Sequence, residues 1–484
     1  MAAGQPRVAI IGAGMSGLCM AAKLRQAGFD DLVVHESAGE VGGTWRDNTY
    51  PGLSCDVPAR FYSYSFAPHA GWSRNFAPGA EIQRYFVGAS ADLRLREHIR
   101  FNSEMARAEW DGRRYRLRTT DGHTDHADVL VAATGVLREP RVPDIEGLST
   151  FAGPAFHSAR WDHTVPLRGK RIAIIGTGST GVQLTSALAG VAKPLTLFQR
   201  TAQWILPLPQ LPYSPVSRAA LRVVPGLNRL SYRSYQHIME QVFGHAAVEP
   251  GWQRSAVAEI CRSYLRLAIR DDPALRAKLT PPDDPMCKRL IMSATFYPAV
   301  RRRDVHLVTE GISHVEPRGI RTTDGRLHEV DVLVLATGFD AHAFLRPMEL
   351  VGEHGQTLAD AWRDGPRGYR TVAVPGFPNF FTMIGPHSPI GNHSLIAIAE
   401  TQADYVLRWL ERIRSGSVST VVPTAEATDE FNTALRSAMP STVWTTGCDS
   451  WYLGADGVPE LWPWTPAVHR RMLASPVLPH FQVS

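Results

Sequence analysis

The chain has 484 residues, of which 44% are hydrophobic and 20% charged, with a formal net charge of +5, which predicts an ordinary soluble enzyme of roughly three domains. The basic residues are dispersed and no apolar run approaches the ~18 residues of a membrane span, so neither nucleic acid nor a membrane is an expected partner. Five cysteines without a C-x-x-C argue against a disulfide framework, a zinc or other metal site and a redox-active disulfide, and a first strand at Val8 leaves no room for a signal peptide, so the expected location is cytoplasmic.

Residues 8–36 form one unit. An apolar run, 8–11, reads as a buried parallel strand, and Gly12, Gly14 and Gly17 follow in G-x-G-x-x-G spacing. A helical pattern and a second apolar run, 32–34, lead to Glu36, 19 residues after Gly17. Gly12 suits the tight turn, Gly14 the approach of a pyrophosphate, and Gly17 close packing of helix on strand. The helix N-terminus favours phosphate, and Glu36 suits a ribose 2′-hydroxyl. Strand, helix, second strand and acid agree on a dinucleotide site of the FAD kind.

The segment 39–66 is rich in Gly, Pro and aromatics without a period, and a long irregular stretch beside a cofactor fold is usually functional. A helix is expected over 81–97, and a hairpin over 105–119, turning at Asp111-Gly112. The buried strand 129–133 ends in Ala133-Thr134-Gly135. The turn-rich stretch 140–154 marks a boundary.

The opening pattern then recurs. A strand at 171–175 runs into Gly176, Gly178 and Gly181, with Ser179 and Thr180 inside the loop. The second strand, 195–198, ends in Gln199, Arg200 and Thr201. Arg200 lies 19 residues after Gly181 and replaces the acid of the first unit. Arginine there accommodates a 2′-phosphate, so the second site is expected to take NADP. Residues 214–295 read as a helical insertion. Strands at 305–308 and 330–335 follow, the latter closing in Ala336-Thr337-Gly338.

The expected fold is α/β, with two Rossmann-like dinucleotide-binding domains and a helical insertion. The FAD domain takes 1–142 and 347–484, the NADP domain 143–213 and 296–346, and the insertion 214–295. A helix over 396–414 and a Trp-rich stretch, 447–464, are the landmarks of the last part. Two nucleotide sites in one chain imply hydride passing from nicotinamide to flavin. With no redox cysteine pair, dioxygen is the expected acceptor.

Three segments carry a family resemblance. The stretch from Phe151 through Gly153 and His157 to Trp161-Asp162 resembles the F-x-G-x-x-x-H-x-x-x-W-[PD] fingerprint of type I Baeyer–Villiger monooxygenases. Gly42-Gly43-Thr44-Trp45, Tyr50-Pro51-Gly52 and Asp56 resemble that family's second motif, and Lys288-Arg289 its Lys-Arg pair. Ser450-Trp451-Tyr452-Leu453 and Leu461-Trp462-Pro463 are similar to the acetophenone-oxidising branch.

The resemblance implies an NADPH- and dioxygen-dependent flavin enzyme. It would insert one oxygen beside a ketone carbonyl through a C4a-peroxyflavin, giving an ester or lactone. By the same resemblance Arg289 stabilises the developing anion, Asp56 orients Arg289, and Lys288 joins Arg200 and Thr201 at the 2′-phosphate. His157 and Trp161 couple the domains, and Gly385 and Pro386 lie near the flavin ring. Trp45 lies against the flavin and Trp451 against the nicotinamide, with a plain core role as the alternative for each. Loops 203–215 and 387–394 and the insertion are expected to line the pocket. N- or S-oxygenation is the alternative chemistry, and a non-catalytic redox sensor the alternative class. The partners implied are a small-molecule ketone and dioxygen, for a monomer or homo-oligomer.

Overall fold

A computed structural model describes residues 5–391 and 393–484. Two five-stranded parallel sheets dominate it. In the first, β1 (Val8–Ile11) is central, flanked by β2 (Leu32–His35) and β3 (Val129–Ala132). All three are buried along their whole length, as unalternated apolar strands must be when helices or loops cover both faces. The glycine loop after β1 leads into α1 (Met15–Gln26). Strand Phe380–Thr382 pairs parallel with β3, so the last third of the chain completes the first sheet. The short strand Ile99–Arg100 closes its other edge.

The second sheet repeats the design. Its centre, β4 (Ile172–Ile175), lies between β5 (Leu195–Phe198) and β6 (Val332–Leu335), and a second glycine loop opens α2 (Ser179–Leu188). Val305–Val308 pairs outside β5. The outer strand beside β6 is Ala155–His157, which lies inside the stretch that the sequence assigned to turns and motif residues.

Other expectations shift in detail. The helix expected to reach residue 97 runs Gly79–Asp92 and ends where Arg94 takes a positive φ. The hairpin of 105–110 with 115–119 forms, but its turn spans Asp111–Arg114, and a third strand, Thr124–Ala127, joins it. A three-stranded meander over 312–329 went unread. The insertion is helical as expected. It opens with α3 (Pro215–Val223) and α4 (Leu227–Ile238), followed by longer and shorter helices to residue 279.

The cysteines form one bond that their spacing did not suggest. Cys287 and Cys448 form a disulfide, with Cα atoms 6.1 Å apart, across 161 residues of sequence. Cys19, Cys55 and Cys261 are free and buried. Spacing arguments look for near neighbours, and this pair is brought together only by the tertiary fold. Both sulfur-bearing residues are buried and neither lines the large cleft described below, so the bond is not placed to exchange electrons there. Among the described residues no group of His, Cys, Asp and Glu is arranged to hold a metal, and no helix is long and apolar enough to cross a membrane.

Candidate active site

A single cleft of about 2290 Å³ is lined by both glycine loops. The tight packing behind each loop explains its glycines. A Cβ on Gly12, whose φ is +102°, would stand 2.6 Å from the Ala133 carbonyl oxygen, and one on Gly17 would stand 1.9 Å from that of Gly12. Gly176 and Gly181 repeat the arrangement against Ala336 and Gly176. The middle glycines face the other way. Gly14 meets only the backbone of Gly43, and Gly178 has nothing within 4 Å of its Cβ position. Both loops therefore present bare backbone to the cleft, and both fit a pyrophosphate.

At the end of β2 the buried carboxylate of Glu36 turns back to the first loop. It accepts a hydrogen bond from Ala13 N at 2.8 Å and one from Ala38 N at 2.9 Å, and pairs with Arg46 at 2.8 Å. Three of its bonds, one of them from the Ser37 hydroxyl, fall on Oε1, and Oε2 carries only that of Ala13, so Oε2 retains an acceptor site for a ribose hydroxyl. At the matching place after β5, the Arg200 side chain is 90% exposed and only loosely paired, at 3.5 Å, with Asp449. A guanidinium this exposed and weakly held at the rim fits a 2′-phosphate. Thr201 uses its carbonyl oxygen to accept from Thr177 Oγ1 at 2.7 Å, which holds the β5 end against the glycine loop. Lys288 lies in the same cleft, but its Nζ is already 3.0 Å from Asp283, so a phosphate must compete for it.

Arg289 and Asp56 meet in a two-point bond. Nε donates to Oδ2 at 2.6 Å and Nη2 to Oδ1 at 2.7 Å, while Nη1 donates to the Gly391 carbonyl at 3.1 Å. Burial opposes the guanidinium charge, but Asp56 outweighs it and holds Arg289 above the usual arginine range. The group therefore stays protonated at every working pH.

Gly43, Thr44, Ser179 and Thr180 line the cleft as well. Trp45 is half-buried there, donating through Nε1 to the Tyr62 hydroxyl at 3.0 Å. Trp451 is 42% exposed, which removes its core alternative, and its ring lies 4.4 Å from that of Tyr452. Gly385 and Pro386 do not reach the cleft. A Cβ on Gly385 would strike the Thr371 carbonyl at 2.4 Å, so this pair is packed into protein, and Ile384, Pro389 and His393 line the cleft instead.

The motif around His157 lies at the domain junction. Its ring meets Phe339 edge-on at 5.9 Å, and Trp161 packs edge-on against Phe156. Beside it the two chain crossings run together: Arg141 N donates to Gly338 O, and Asp340 N to Glu139 O, both at 2.9 Å. A second contact between domains comes from the Tyr-Pro-Gly motif. The Tyr50 hydroxyl donates to Gln183 of α2 at 2.9 Å, and Gly52 leaves no room for a Cβ against the Gln183 carbonyl.

Two residues of the cleft were missed. The Tyr452 hydroxyl is buried beside Arg289, and burial pushes its pKa up to about 12 although the charge and hydrogen bonding of Arg289 oppose the shift. His393 is likewise buried, its Nδ1 unpartnered, and burial pulls its pKa down to about 4. In the sequence Tyr452 stands out only as part of the Ser450–Leu453 motif, and His393 sits in a loop expected only to line the pocket.

Residues 6–219 match the family described as Pyridine nucleotide-disulphide oxidoreductase. A Baeyer–Villiger monooxygenase of Streptomyces coelicolor is 41% identical over 99% of this chain and 92% of its own length. This chain belongs to the Baeyer–Villiger monooxygenases. A family member from Pseudomonas aeruginosa is 36% identical over 92% of this chain and 85% of its own. An uncharacterised monooxygenase of Mycobacterium tuberculosis is 56% identical over 97% and 94%. Among solved structures, an oxidised steroid monooxygenase bound to NADP superposes with a TM-score of 0.88 at 29% identity, covering 99% of both chains. The OTEMO complex with FAD and NADP superposes at 0.87 and 27%, covering 99% of this chain and 100% of the other. The acetophenone-oxidising branch is not singled out by these relatives.

Proposed function

We propose that this monooxygenase consumes NADPH and dioxygen to insert one oxygen atom beside a ketone carbonyl, yielding an ester or lactone. Bound FAD supplies the chemistry no side chain here has, accepting hydride from NADPH and activating dioxygen. The chain supplies the rest. The loop at Gly12 and Gly14 with Glu36 holds the FAD nucleotide, and the loop at Gly176 and Gly178 with Arg200 holds that of NADPH. Trp451 and Tyr452 wall the cleft and limit water. Arg289 offers a fixed positive charge where negative charge develops as the ketone carbonyl is attacked, and Asp56 fixes the plane of that guanidinium.

The carrying observation is the Arg289–Asp56 pair, placed in the one cleft that both glycine loops line. A preorganised charge in a water-poor site is worth far more than in solution. It also cannot quench an oxidant by giving up a proton, which suits ketone attack better than heteroatom oxygenation. The deciding experiment incubates the FAD-loaded enzyme with a panel of aryl, cyclic and linear ketones, amines and sulfides, and follows NADPH loss and product mass together. Esters or lactones formed in proportion to NADPH support the reading. N- or S-oxides without any ester sink it.

A further inference from the structure

The outer faces of α3 and α4 place exposed aliphatic side chains beside arginines with no acid nearby in the sequence. From His163 to Met239 the sequence contains no Asp or Glu but nine Arg and Lys. Val216 and Val223 on α3, and Leu230 and Ile238 on α4, are each between 52% and 77% exposed. On α4, Leu230, Ser234 and Ile238 stand four residues apart and form one exposed stripe. Arg229, Arg233 and His237 form a second exposed stripe directly beside it. On α3, Arg222 shares the exposed arc with Val216, Ala219 and Val223. Among the described residues, Arg222, Arg229 and Arg233 enter no ion pair. The next acid along the chain, Glu240, is taken up by Arg470.

We infer that this face docks on an anionic phospholipid surface, a partner not expected from the dispersed basic residues of the chain as a whole. Arginines beside exposed aliphatic side chains on helices lying along the surface match an interfacial site, with cations at headgroup phosphates and aliphatics at the acyl boundary. Two other occupants fit less well. A second copy meeting this face about a two-fold axis would set its arginines against their own counterparts. A nucleic acid would gain nothing from the aliphatic stripe, and neither α3 nor α4 presents an exposed Phe, Tyr or Trp to stack on bases, since Tyr232 is buried and Tyr235 half-buried. The inner side of α4 is one layer from the active cleft: Tyr232 meets Phe61 at 5.3 Å, and Phe61 meets the cleft residue His393 at 5.5 Å. The docked face therefore holds the cleft close to the phase in which apolar ketones dissolve.

Vesicle flotation of the FAD-loaded full chain tests this. The protein should float with phosphatidylcholine vesicles containing about 30% phosphatidylglycerol, stay behind with pure phosphatidylcholine, and release partly in high salt. Arg229→Gln with Arg233→Gln should cut partitioning roughly 30-fold, at the usual contribution of one basic residue near a charged bilayer. Leu230→Asn with Ile238→Asn should also weaken it, and both variants should keep wild-type FAD content and turnover of a water-soluble ketone. Absence of phosphatidylglycerol-dependent flotation overturns the inference. So does flotation that survives both variants, a dimer in light scattering that either variant splits, or duplex DNA binding as tight as vesicle binding.

Discussion

Arg289 and Asp56 face each other through two parallel hydrogen bonds of 2.6 and 2.7 Å, although 233 residues separate them in the chain. The geometry assigns each a different share of the work. Arginine brings the charge, and aspartate removes its freedom to turn.

Arg289→Ala is expected to lower ketone oxygenation by about 100-fold or more while leaving FAD content unchanged. NADPH should still be consumed, with hydrogen peroxide released in place of ester. Arg289→Lys keeps a charge but loses the two-point bond and should fall between the two. Asp56→Asn should show a smaller loss than Arg289→Ala. Product mass and peroxide assays on the same samples check the order, and near wild-type ester formation by Arg289→Ala rules out the assigned role.

Arg200→Ala should raise the KM for NADPH and leave that for NADH nearly unchanged, because only the former carries a 2′-phosphate. Its present partner Asp449 is exposed, and such a pair contributes roughly 0–1 kcal/mol. Asp449→Ala should therefore lower the NADPH KM, by about fivefold at most on that scale. Parallel changes for both nicotinamides in initial-rate kinetics would contradict this reading.

The Cys287–Cys448 bond ties the residue preceding Lys288-Arg289 to the loop that carries Trp451 and Tyr452. Closing so long a loop stabilises a protein by about 2–5 kcal/mol. Treatment with dithiothreitol, or Cys448→Ser, should lower Tm and make the segment around 447–464 easier to cleave. Thermal melts and limited proteolysis read this out, and alkylation followed by mass spectrometry reports the thiols. Two thiols that alkylate without reductant would show that the bond does not form.

Acid should destabilise the enzyme through buried neutral histidines. Burial pulls His35 and His393 down to about 4 and His469 to about 3. The unfolded chain, with histidines near 6.5, then binds protons that the folded one refuses. Stability is complete above about pH 6.5 and is lost as pH falls from there towards 4, by on the order of 1–2 kcal/mol per histidine near pH 5. Melts between pH 7.5 and 5 check the direction. A His393→Gln variant should flatten part of the slope, and a Tm that stays constant over that range would refute the account.

The sequence by itself determined the two nucleotide units. Each is built within about 30 residues, and its signals are local: unalternated apolar strands, glycines at fixed spacing, and the residue that ends the second strand. Glu36 at the end of the first unit and Arg200 at the end of the second are local in the same way, and they carry the expectation of FAD at one and NADP at the other. Arg289 and Asp56 were legible through family motifs, but their bond lengths and the single cleft were not. Only the tertiary structure decided what depends on distant partners. It made Ala155–His157, inside the Phe151–Asp162 motif, a strand on the edge of β6, packed Gly385 away from the cleft against Thr371, left Trp451 exposed, and joined Cys287 to Cys448. Residue type and spacing fix what a segment can form alone; which face meets which is set by packing between segments hundreds of residues apart.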